Sequence, residues 1–229
     1  MVKFKFISGV CLYFFSSLAL IFITIFIKIL ALKIADNFIY NIYILGDFLQ
    51  GIDIVEAVNI IVFAILGIGF GLISCFIPKN LGEKTGAICL IILFPIIFST
   101  TNFIRYHNWL VEVADVQNIS YQKAKIFTNS FLADKVGSEG FLGFYVYTAQ
   151  FPSLPKNTGQ IKELNDLEKT VRSRLLEVIL KATNIQPQLA VGILAIGNWG
   201  LRLFYLLISL FITITHFWKG LKEAGRIPI

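Results

Sequence analysis

Residues 137–152 read GSEGFLGFYVYTAQFP, and their reading as strand or helix decides the fold of the one long polar part of this chain. Phe, Tyr, Val and Thr dominate positions 141–151, which is strand composition. Pro152 and Pro155 would end any ladder beyond them. In extended form Phe141, Tyr145, Tyr147 and Phe151 share one face, while Leu142, Phe144 and Val146 share the other. Both faces are then apolar, so the expected strand is covered on both sides.

Two helices are expected to cover it. Ser120 reads as an N-cap and Gly137 as the stop of a helix over 121–136, with Tyr121, Ala124, Phe127, Thr128 and Phe131 on one face. Residues 160–182 carry a charged helix with Ile161, Leu164, Leu167, Val171, Leu175, Val178 and Ile179 as its apolar stripe. Residues 105–188 thus form a small α+β-like module, with 108–116 continuing a preceding helix.

Everything outside this module is dominated by lipid-length apolar blocks. The chain of 229 residues is 56% hydrophobic and 15% charged, with a mean hydropathy of +0.76. A soluble domain would carry roughly a quarter charged residues. Residues 7–27, 57–77 and 87–104 are each long enough to cross about 30 Å of hydrocarbon. The first lacks a plausible cleavage site and reads as an uncleaved helix. Pro95, in the middle of the third, is expected to kink it. Trp199 and Trp218 lie 19 residues apart, about 28 Å along a helix, which matches two aromatic belts and places a fourth span at 200–217. The predicted fold is a mainly α membrane protein: four transmembrane helices with the module between the third and fourth. Its regions are 1–104, with an interfacial loop at 28–56 and a basic turn at 78–86, then 105–188, then 189–229.

Charge placement predicts topology. Lys3, Lys5, Lys79, Lys84, Lys219, Lys222 and Arg226 fall on one side, in short segments. The first connector sets Lys28 and Lys33 against Asp36, Asp47, Asp53 and Glu56. The positive-inside rule therefore puts both termini in the cytoplasm and 105–188 in a periplasm or lumen. The net charge of +6 is spent on flanking spans, which argues against nucleic acid as a partner. Cys11, Cys75 and Cys89 all lie in apolar blocks, so the exported module has no disulfide. Residue usage fits a bacterial inner or thylakoid-type membrane.

Chemistry-bearing patterns are sparse. His107 and His216 are the two histidines and fall at opposite predicted faces, so no metal site is expected. No nucleophile elbow, Walker lysine or dinucleotide fingerprint is present. No cofactor and no enzymatic activity are expected. Three features rise above this background. Gly67 and Gly71, extended by Ala64 and Ser74, form a small-residue face for close helix packing, within the chain or in an oligomer. Arg202 lies one turn inside the fourth span, and a charge there must snorkel or pair; Glu56 is its expected structural partner. Phe141, Phe144, Tyr145, Tyr147 and Phe151 build either the module core or a partner-docking surface. The expected role is a non-catalytic subunit or assembly factor of a larger membrane complex, in contact with lipid and with other membrane proteins. A component of a multi-copy channel or cell-envelope conduit is the alternative.

Overall fold

The computed structural model describes residues 2–40, 42, 54–150, 154–163 and 187–225. Six helices account for most of them: α1 (Val2–Ile34), α2 (Ile54–Ile73), α3 (Lys79–Gln117), α4 (Tyr121–Val136), α5 (Gly140–Gln150) and α6 (Pro187–Glu223). A π-helical turn, Ala35–Ile39, extends α1, and a 3-10 turn, Ser74–Phe76, extends α2. No strand occurs among the described residues. The expected α+β-like module is therefore corrected to a helical one.

Four helices are long and apolar enough to cross a membrane: Ile7–Ile39, Val55–Phe76, Lys79–Gln117 and Arg202–Glu223. Contact with a lipid bilayer follows. Phe14, Phe15, Phe22 and Phe26 of α1 stand 61–65% exposed, an apolar surface that water would not tolerate at this density. The connector expected over 28–56 is shorter, because α1 and its π turn carry helix to Ile39 and α2 resumes at Ile54. The basic turn expected at 78–86 is also helix. The Pro78 carbonyl accepts from Leu81 N and Gly82 N at 3.0 and 2.8 Å, so α3 starts at Lys79. Pro95 lies inside α3, which runs unbroken for 39 residues.

The chain divides into two compact units. The first comprises Met1–Thr101 and Leu203–Ile229; the second is Asn102–Arg202. The core of the first unit joins Phe63, Leu66 and Phe70 of α2, Ile97 and Phe98 of α3, and Phe217 and Leu221 of α6. Its helices approach closely where side chains are absent. A Cβ at Gly67 would stand 2.5 Å from the Thr213 carbonyl oxygen, and one at Gly71 2.6 Å from that of Phe217. The small-residue face thus meets α6 of the same chain. Ala64 is half-buried, and the buried Ser74 donates to the Gly71 carbonyl at 2.6 Å.

The second unit is cored by Tyr106, Trp109, Leu110 and Val113 of α3, Ala124, Phe131 and Leu132 of α4, and Phe144 and Tyr147 of α5. Residues 108–116 do continue the third helix. Asn118, at φ 51°, ends it. The Ser120 hydroxyl caps α4 by accepting from Lys123 N at 3.4 Å, and Gly137 closes it in the left-handed region at φ 69°. Asn157 starts a helical turn over 158–163, its Oδ1 accepting from Gln160 N at 2.9 Å. The rest of the charged helix expected over 160–182 lies outside the described residues.

Segment 140–150 is helical for a physical reason. Strand propensity reports fit to a half-buried pleated surface rather than an intrinsic backbone preference. An alternating strand would have exposed one apolar face, whereas a helix gathers Phe144 and Tyr147, three apart, on one side. Phe144 meets Tyr106 and Trp109 with ring centroids 5.3 and 5.8 Å away, and Tyr147 meets Phe131 at 5.1 Å. Gly143 permits the turn, since a Cβ there would collide with the Ser138 carbonyl. Gly140 N donates to Asn129 Oδ1 at 3.1 Å and fixes the helix start against α4.

Candidate functional site

Two polar arrangements stand out, one in each unit. In the first, Lys28 is 1% exposed although it sits in a membrane helix. Its Nζ donates to the backbone carbonyls of Ile97 and Phe98 on α3, at 2.5 and 3.0 Å. Glu56, also 1% exposed, accepts from Asn59 Nδ2 one turn along α2. A buried charge costs several kcal/mol unless paired or hydrogen-bonded, so these contacts are a condition of the fold. The sequence placed Lys28 and Glu56 in a connector. What it could not show is that carbonyls 69 and 70 residues downstream would receive the ammonium.

In the second unit the organising cation is Arg202, 7% exposed. One guanidinium nitrogen donates to the Tyr145 carbonyl, and another reaches Thr148 Oγ1 at 2.9 Å. The Thr148 hydroxyl in turn donates to the Phe144 carbonyl at 2.8 Å. The guanidinium carbon lies 4.5 Å from the centroid of the Tyr145 ring, in cation–π range. Arg202 thereby fastens α6 to the last turn of α5. Glu56 belongs to the first unit and Arg202 to the second. Asn59 is one partner of Glu56, and Tyr145 and Thr148 are partners of Arg202; the expected Arg202–Glu56 pair is left to a double-variant test.

The expected docking residues divide by burial. Phe144 and Tyr147 are 1% and 0% exposed and serve the core. Phe141 and Tyr145 are half-buried, with Phe141 leaning on Phe103 at 5.8 Å. Phe151 lies outside the described residues. The neighbouring Leu142, by contrast, is 63% exposed, and Ile126 on α4 is 69% exposed. A second tether joins α3 to the chain after α5. Trp109 Nε1 donates to the Pro155 carbonyl at 2.9 Å, Gln117 Nε2 to that of Lys156 at 2.9 Å, and Lys156 pairs with Glu112 at the surface. His107 Nδ1 lies 3.3 Å from the Tyr121 hydroxyl, while His216 Nδ1 lies 2.9 Å from the Ile212 carbonyl one turn back on its own helix.

Four bilayer-length helices and buried, compensated charges define a polytopic helical membrane protein. No protein-family model matches this chain, and comparison with curated proteins and with solved structures finds no match.

Proposed function

We propose that this protein is a non-catalytic subunit or assembly factor of a larger membrane protein complex, docking through residues 105–188. The observation that supports this most is the second unit itself: a helical module with its own aromatic core, latched by Arg202 and falling in the sequence between the third and fourth spans. Its polar side chains are used to tie helices together. Leu142 and Ile126 are the most exposed of its large apolar residues among those described, and the partner is another integral membrane protein, because a module tethered at both ends cannot leave the bilayer surface. Both termini are cytoplasmic and the module extracytoplasmic. Burial of Lys28 supports this topology, since it removes one positive charge from the connector that ran against the positive-inside rule.

Gentle detergent extraction from native membranes, followed by native-gel sizing and mass spectrometry of what stays bound, tests the proposal. Wild type should migrate as an assembly with other membrane proteins. Leu142→Asp and Ile126→Asp should release them without lowering the unfolding temperature. A lone monomer in the wild-type extract would sink the idea. A homo-oligomer with a central opening would instead favour the conduit reading.

A further inference from the structure

One level of the first unit is polar on every helix, and close contacts fix that level. Leu20 of α1 lies against Gly69 of α2, and Gly9 against Phe76, so these helices are antiparallel. Eight residues on from Leu20 is Lys28; eight back from Gly69 is Ile61. Phe63 of α2 packs on Phe94 and Phe98 of α3, with ring centroids 4.5 and 6.3 Å away. Gly82 of α3 meets Ser74 and Gly86 meets Phe70, so α2 and α3 run antiparallel, and one turn back from Phe63 and one turn on from Phe98 are Asn59 and Thr101. Gly67 meets Thr213 and Phe217 of α6, and Gly71 meets Phe217 and Gly220, so that pair is parallel. Eight residues back from Gly67 and Phe217 are Asn59 and Ser209. Lys28, Asn59, Thr101 and Ser209 therefore share one cross-section, with Glu56 a turn from Asn59.

Three of these groups have an unused polar atom. Asn59, Thr101 and Ser209 are each 0% exposed, and Asn59 Oδ1, Thr101 Oγ1 and Ser209 Oγ have no hydrogen-bond partner among the described residues. For Thr101 the reason is visible. Ser99 and Thr100 donate back to the carbonyls of Pro95 and Ile96, at 2.8 and 3.0 Å. The corresponding acceptors for Thr101 are Ile97 and Phe98, and both receive Lys28 Nζ. Lys28 thus leaves the hydroxyl of Thr101 to find another partner in a place that lipid and packed phenyl rings keep from bulk solvent.

We propose that this layer is a hydrated binding site inside the span bundle, occupied by water that bridges Asn59 Oδ1, Thr101 Oγ1 and Ser209 Oγ. The two hydroxyls both donate and accept, and the amide oxygen accepts, so the occupant must do both. Lys28 repels a cation and Glu56 an anion, so a neutral occupant fits. Buried water is held by about two to four polar partners, and this layer offers three. The site is independent of the docking module and goes beyond the proposed function.

Purified protein in lipid nanodiscs provides the test. Thr101→Val and Ser209→Ala should each lower the unfolding midpoint, Thr101→Ser should restore it, and the double variant should be no worse than the worse single, because both remove partners of shared water. Midpoints that rise with Thr101→Val and Ser209→Ala would show a dry layer and overturn the proposal. An independent readout is direct imaging: high-resolution cryo-electron microscopy of the nanodisc sample should show density bridging Asn59, Thr101 and Ser209, and a dry gap there would overturn the proposal. A wild-type midpoint that shifts when sodium is exchanged for choline at constant ionic strength would also overturn it, by assigning a metal cation instead.

Discussion

The guanidinium of Arg202 holds Tyr145 twice, through a hydrogen bond to its carbonyl and by lying 4.5 Å from the centroid of its ring. With the bond to Thr148, this places one cation on three points of α5. Hydrogen bonds to a charged donor contribute about 1.5–3 kcal/mol each. Arg202→Ala should therefore destabilise the second unit by about 3 kcal/mol. Arg202→Lys should recover less than half, since an ammonium lacks the planar fork. Thermal unfolding followed by tryptophan fluorescence is the measurement, because Trp109 sits in the core that α5 closes.

The pairing of Arg202 with Glu56, expected from sequence, has a direct test. If the two are paired, Arg202→Ala and Glu56→Gln should each lower the yield of folded protein, with the double variant no worse than the worse single. Additive losses would sink the pairing.

Gly71 and Gly69 should separate sharply. A Cβ at Gly71 meets backbone, the Phe217 carbonyl at 2.6 Å and Gly220 Cα at 2.7 Å, whereas one at Gly69 meets the end of the Leu20 side chain. Backbone cannot step aside without moving a helix. Gly71→Ala should cost about 1–3 kcal/mol, and Gly69→Ala less than about 1 kcal/mol as Leu20 changes rotamer. Comparable losses in detergent thermal shift would contradict this contact geometry.

Within the aromatic segment, burial ranks the residues. Tyr147→Ala empties a fully buried site and should cost about 3 kcal/mol or more. Leu142→Ala should stay within about 0.5 kcal/mol. Loss of native-gel complex size with Leu142→Ala, at unchanged stability, would mark its face as the contact. If Tyr145→Ala and Tyr147→Ala left fold and assembly alike untouched, neither a core nor a docking role for the segment would survive.

The four spans were legible because hydrocarbon demands a long run of apolar residues, a requirement written locally in the chain. The caps of α4 were legible for the same reason: Ser120 and Gly137 act on backbone groups within one turn. Segment 140–150 misled because aromatic residues suit both a strand and a buried helix face. What settled it was packing on Trp109 and Phe131, which lie far away in sequence. Lys28 misled likewise. A lysine between an apolar run and an acidic connector looks like a flank, and only the α3 carbonyls reveal it as interior. Pro95, expected to kink its helix, lies within continuous helix on both sides, with Ser99 donating back to the Pro95 carbonyl.

The Arg202 latch also carries timing. Thr148 leaves the ribosome 54 residues before Arg202 does. At synthesis rates of roughly 5–20 residues per second, that is an interval of about 3–11 seconds. Throughout it α3, α4 and α5 can assemble their aromatic core, while the final fastening waits for the first turn of the last span. A nascent chain stalled in that interval carries a finished core with an open edge, and arrival of Arg202 reports that the fourth span has begun to emerge.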